Sequence, residues 1–163
     1  MRTTALAPVR ALLRTLSELQ PDLILAHRIG SGAAFVRARQ PMPPIIVDVD
    51  DLEHVKLARL ARTLAWGKGR ITKYLYALLA RHVTQQVASI AAQLIVTSEL
   101  DRGKLQLICP RSIVTVVPNT AARFANVGEV EATGPIAVFV GTFRYAPNVE
   151  GANWLISEVW PNL

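Results

Sequence analysis

The chain has 163 residues, 51% hydrophobic and 18% charged, a balance that supports a packed core and excludes intrinsic disorder. One cysteine, Cys109, excludes an internal disulfide; with three scattered histidines it makes no metal cluster, and no apolar run is long enough to span a bilayer. A net charge of +6 favours anionic partners such as nucleic acid, acidic lipid or a nucleotide-bearing ligand.

Leu6, Val9, Leu12, Leu13, Leu16 and Leu19 recur at helical spacing, which predicts a helix over 5–19 stopped by Pro21. Arg10 and Arg14 among these leucines give an amphipathic pattern, not a signal-peptide core, so the expected location is the cytoplasm. DLILAH reads as a first strand, Gly30-Ser31-Gly32 as a turn, and the residues up to Arg39 as a helical patch. Pro41, Pro43 and Pro44 break the chain before a second strand, IIVDV, and a long helical stretch from Asp51 to about Ala92 is interrupted at Gly67 and Gly69. QLIVTS is a third strand, ELDRGKLQLI a short helix and SIVTVV a fourth strand. Short, continuously apolar strands alternating with helices predict an α/β fold, a doubly wound parallel sheet covered on both faces.

After Pro118-Asn119 the segment TAARFANVGEVEATG is small and polar, the texture of a linker. A new strand, PIAVFVG, a loop, TFRYAPN, and a helix, VEGANWLISEVW, follow it. The expected organisation is therefore a first domain over 1–119, a linker over 120–134 and an incomplete second domain over 135–163.

Ligands of open parallel sheets bind beyond the carboxyl ends of the strands, and the polar residues collect there. His27 follows the first strand, Asp48, Asp50, Asp51 and Glu53 the second, Ser98 and Glu99 the third, Pro118 and Asn119 the fourth, and Gly141 and Thr142 the strand of the second unit. A cleft between two α/β units is the expected site. Each residue also has a purely structural reading. Asp50 or Asp51 suits a helix N-cap with Glu53 in the first turn, and Ser98 with Asp101 fits a capping box. Strand, Gly30-Ser31-Gly32, helix and an aspartate further on imitate a dinucleotide fingerprint, although Phe35 occupies the third glycine position.

Between Lys56 and Ser98 no acidic residue occurs, while Lys56, Arg59, Arg62, Lys68, Arg70, Lys73 and Arg81 do. With Trp66, Tyr74 and Tyr76 this reads either as a solvated helix face or as a basic surface for anionic lipid, with Arg59, Arg62, Arg70 and Lys73 as its candidate contacts. No nucleic-acid recognition motif accompanies it.

VFVGTFRYAPNVEGANWLISEVWPNL resembles the opening of the donor-binding domain in glycosyltransferase family 4, with bacterial enzymes of exopolysaccharide assembly as the nearest likeness. LIVTSELDRGKL, VTVVPNTA and IIVDVDDLE resemble, in order, three elements of that family's acceptor domain. The resemblance runs from about Pro21 to Leu163. It implies a GT-B fold of two Rossmann-like domains and retaining transfer of a sugar from a nucleotide-sugar to a saccharide or lipid-linked acceptor. On this likeness His27, Asp48, Asp50 and Asp51 lie on the acceptor side, Gly141, Thr142 and Asn148 on the donor side, and Pro118-Asn119 at the interdomain turn. It implies no catalytic residue within the chain, no metal, and no cofactor beyond the nucleotide-sugar co-substrate. Peripheral attachment to the inner face of the cell membrane would suit its basic helices. Thr120 stands where the family often has glycine and Gln93 where an acid is usual. The later donor-binding elements and the opening strand have no counterpart here, so truncation at both ends and no turnover by this chain alone are expected. Two other readings stand beside this one: a non-catalytic basic module for anionic membranes, and a dinucleotide-binding oxidoreductase fragment.

Overall fold

The computed structural model describes residues 6–38, 41–120 and 136–163, apart from the side chains of residues 6–8. The chain divides into two compact units, Met1–Ala121 and Ala122–Leu163. The expected linker over 120–134 lies, except for Thr120, outside the described residues.

In the first unit the helix α1 (Leu6–Leu19) precedes the strand β1 (Ile24–His27), which leads directly into a five-residue helix, α2 (Arg28–Gly32). The strand β2 (Ile45–Asp48) is followed by the paired helices α3 (Glu53–Thr63) and α4 (Lys68–Ile90). β3 (Gln93–Val96), α5 (Glu99–Ile108) and β4 (Val114–Val116) complete it. All four strands are parallel and lie in chain order, β1-β2-β3-β4. The α/β class and the parallel sheet are as the sequence predicts, and they are those of a Rossmann-like GT-B fragment.

The register aligns Ile24 with Ile45, Ala26 with Val47, Val47 with Leu94, and Val96 with Val116. Ile24, Ala26, Ile45, Val47, Leu94 and Val96 are all buried on one face, packed with Ile29, Phe35, Leu52, Val87 and Leu105 from the connecting segments. Leu12 and Leu16 of α1 pack against the same core. On the opposite face Leu25 is 67% exposed, while Ile46 and Ile95 are only half-buried. The expectation of cover on both faces is therefore not met among the described residues. The strand order explains why. Right-handed crossovers that always step in the same direction put their helices on the same side.

Ser98 caps α5 as the sequence predicts: its Oγ accepts from the Asp101 backbone N–H at 3.2 Å and donates to the Asp101 carboxylate at 2.8 Å. Desolvation would raise the Asp101 pKa, but hydrogen bonds from Ser98 and Lys104 outweigh it and hold the carboxyl below its ordinary value. Neither Asp50 nor Asp51 caps α3, whose N-cap position is Leu52, with no side-chain cap bond.

His54, in the first turn of α3, has a buried Nδ1 with no hydrogen-bond partner. Burial, and then the charge of Arg81, push its pKa below the ordinary histidine value. The native state therefore resists a proton that the unfolded chain accepts near pH ~6.5. Stability is expected to be full above that pH and to decline as pH falls from there towards the lower native pKa. Urea melts across this window check it, and His54→Gln should flatten the slope.

In the second unit, Ile136–Val140 pairs with no strand among the described residues, contrary to the strand expected there. A strand is held by a neighbour's backbone groups, and none is supplied among the described residues. α6 (Ala146–Trp154) continues into a π-helical turn, Leu155–Val159, and a 3-10 turn, Trp160–Asn162. None of the described residues of this unit is buried.

Candidate functional site at the carboxyl rim of the sheet

β1 and β2 end side by side, with His27 opposite Asp48 in the register. Both continue the less covered face of the sheet, two residues beyond Leu25 and Ile46. The His27 Nδ1 lies 3.0 Å from Asp48 Oδ2. A carboxylate only accepts, so Nδ1 carries the donated hydrogen and the ring's Nε2 is left for another partner. His27 remains exposed and Asp48 half-buried, which makes the pair reachable from solvent.

One step further along the chain a second pair forms: the Arg28 guanidinium donates to Asp50 Oδ2 at 3.0 Å. Arg28 and Asp50 both adopt left-handed backbone conformations, φ 67° and φ 57°. Aspartate tolerates that region because its short side chain bonds locally, but arginine has no such excuse. Each such residue costs about 1–2 kcal/mol. Two of them, paired across adjacent strand ends, mark a place where geometry is kept at the expense of stability.

The other candidates divide. Asp51 is exposed and faces Lys56 at 3.8 Å, apart from the His27–Asp48 pair. Pro118 and Asn119 lie exposed just past β4. In the second unit Gly141, Thr142 and Asn148 do come together: Asn148 Nδ2 donates to the Thr142 carbonyl at 3.1 Å, and a Cβ on Gly141 would fall 2.7 Å from the same nitrogen. The glycine thus makes room for Asn148 as a turn brace, a packing role the sequence did not show. Arg28 is the rim residue that sequence reasoning missed. Its only signal was its place directly after a strand-end histidine.

The Gly30-Ser31-Gly32 run is not a phosphate-binding turn. It lies within α2, which starts at Arg28. A Cβ on Gly32 would meet Val87 Cγ1 at 2.7 Å, so this glycine lets α2 approach α4 and β2. A hollow of about 460 Å³ lined by Phe35, Met42, Pro43, Ile90 and Ala91 borders residues just ahead of β2 and β3. It therefore sits at the opposite end of the strands from His27 and Asp48 and is not where a parallel sheet binds its ligands. Among the described residues no group of three or more His, Cys, Asp or Glu converges as metal ligands would, and no helix is long and apolar enough to cross a membrane.

A four-stranded parallel sheet with helices between its strands defines a Rossmann-like domain. Residues 1–120 match the Glycosyl transferase 4-like domain, and the chain belongs to that family. Membership makes glycosyltransferase-type function its class, with a sugar donor and an acceptor in the general sense. No curated protein and no solved structure matches the chain.

Proposed function

We propose that the first unit is the acceptor-side domain of a retaining glycosyltransferase that moves a sugar from a nucleotide-sugar to a saccharide or lipid-linked acceptor in polysaccharide or glycolipid assembly. The observation that carries this reading is the double pair at the rim, His27–Asp48 beside Arg28–Asp50, in a chain of this family. Sugar hydroxyls both donate and accept, so a site for them needs both kinds of partner close together. The carboxylates of Asp48 and Asp50 accept, Arg28 donates, and the His27 ring offers Nε2 as a further hydrogen-bonding atom. Asp48 orients the His27 ring and Arg28 holds Asp50, so the acceptor's hydroxyls meet a preformed array. Asp51 extends the acidic side of this array.

Residues 135–163, within the second unit, are the start of the nucleotide-sugar domain in this reading, with Gly141 and Thr142 presenting backbone to the donor and Asn148 fixing their turn. Pro118 and Asn119 are the interdomain turn of this reading. No coenzyme takes part; the nucleotide leaves with the donor phosphate as product.

Saccharide titration of the chain, followed by NMR at the His27 ring, tests the acceptor side. Binding is expected to shift that resonance, and His27→Ala to weaken affinity about tenfold, the worth of one good hydrogen bond. Binding that leaves His27 unshifted, or that survives His27→Ala and Asp48→Asn intact, would disprove the assignment. Calorimetry with a panel of nucleotide-sugars tests the donor side separately.

A further inference from the structure

Residues 136–140 read Ile-Ala-Val-Phe-Val, the chemistry of a strand, yet among the described residues no backbone hydrogen bond reaches any of the five. One side of the segment is already in contact with its own unit. Phe139 stacks on Phe143 with ring centroids 6.1 Å apart, and its ring lies 3.8 Å from where a Cβ on Gly151 of α6 would stand. Ile136, Val138 and Val140 are 69%, 79% and 89% exposed, against 41% for Phe139. That difference follows the two-residue period of a strand, with the even-numbered side chains left uncovered.

An unpaired row of N–H and C=O groups is a template for another strand, and native edges that stay single are guarded by charge or proline. Residues 136–140 contain neither. The chain's excess charge also lies elsewhere. Residues 136–163 hold one cation, Arg144, and two anions, Glu150 and Glu158, in a chain of net charge +6. Two copies that meet here bring together their parts of nearly balanced charge, so the mutual repulsion of two basic chains is weakest at this contact.

We infer that two copies of the chain associate by antiparallel pairing of residues 136–140, centred on Val138. In that register Ile136 of each copy lies opposite Val140 of the other, and Ala137 opposite Phe139. The small side chain beside the large ring leaves room for the Phe139–Phe143 stack. Ile136, Val138 and Val140 of both copies then form one continuous apolar face. Pairing of like with like is a twofold contact, so it closes at two copies. Addition of the segment to the free β1 or β4 edge of another copy joins unlike surfaces, a contact that can propagate from copy to copy. The inference is independent of the proposed glycosyl transfer, since donor and acceptor play no part in it.

Sedimentation equilibrium of the full chain, with light scattering, tests it: a reversible dimer is expected, without larger species. Val138→Lys sets two like charges directly opposite each other and takes two valines out of the contact. The dimer dissociation constant should rise at least about tenfold, while the circular dichroism melt stays that of the parent. Val138→Cys should form a disulfide between copies under mild oxidation much faster than Leu107→Cys, a similarly exposed position on α5. Cys109 is buried and does not compete. A monomer at every concentration, or growth beyond the dimer, overturns the proposal. So does a dimer indifferent to Val138→Lys, or cross-linking no faster at 138 than at 107. The mass of the unsubstituted chain needs no variant, so a misfolded mutant cannot shield the idea.

Discussion

Replacing Leu94 with alanine is expected to lower the unfolding free energy by about 2–5 kcal/mol, read as a drop in urea midpoint at unchanged slope. Leu94 is fully buried, in the third strand of the sheet, aligned with Val47 on one side and Val114 on the other. Its removal leaves a hole lined by residues of a single core, with β-branched neighbours that have little freedom to collapse into it. Leu25, with the same hydrocarbon chemistry on the less covered face, is the internal control. At 67% exposure it should lose far less on the same change. Equal losses at the two positions would mean that the two faces are not covered as unequally as the structure has it.

Gly32→Val is the second large effect, with an expected loss of about 1–3 kcal/mol. Two forces oppose each other here. Leaving glycine in a helix favours stability by up to about 1 kcal/mol per residue for alanine, and by less for valine. Against this, the new Cβ would stand 2.7 Å from Val87 Cγ1, on a fully buried, β-branched side chain that cannot swing away. The clash wins. Gly30→Val, with nothing within 4 Å of its added Cβ, should be nearly silent. This contrast also decides between the two readings of the glycine pair. A phosphate-binding turn would lose ligand at both positions, whereas a packing glycine loses stability at Gly32 alone.

The strands and helices of the first unit were legible because burial forces apolar residues into runs and periods. The helix ELDRGKLQLI is reproduced residue for residue, with its Ser98 cap. α2 was not placed correctly because its start carries no sequence signal: His27 occupies the N-cap without making a side-chain cap bond. The strand expected at 135–141 failed for another reason. Its residues have strand chemistry, but a ladder needs a neighbour, and no composition can supply one. At the rim, alternation and the strand ends located His27 and Asp48. Their pairing needed the register, and the Arg28–Asp50 pair needed two backbone conformations that residue types alone argue against. The capping role expected of Asp50 or Asp51 gave way to these contacts.

The unidirectional strand order bears on how the chain acquires its fold. Each strand is hydrogen-bonded only to strands adjacent to it in sequence, so a nascent chain leaving the ribosome can add them one at a time. The longest closure joins Ile46 to Gln93, across the whole α3–α4 hairpin. That hairpin packs through local contacts, which form early and shorten the loop still to be closed. Synthesis and sheet growth can therefore proceed in step: one edge of the growing sheet stays that of β1, and only the other moves, to the newest strand.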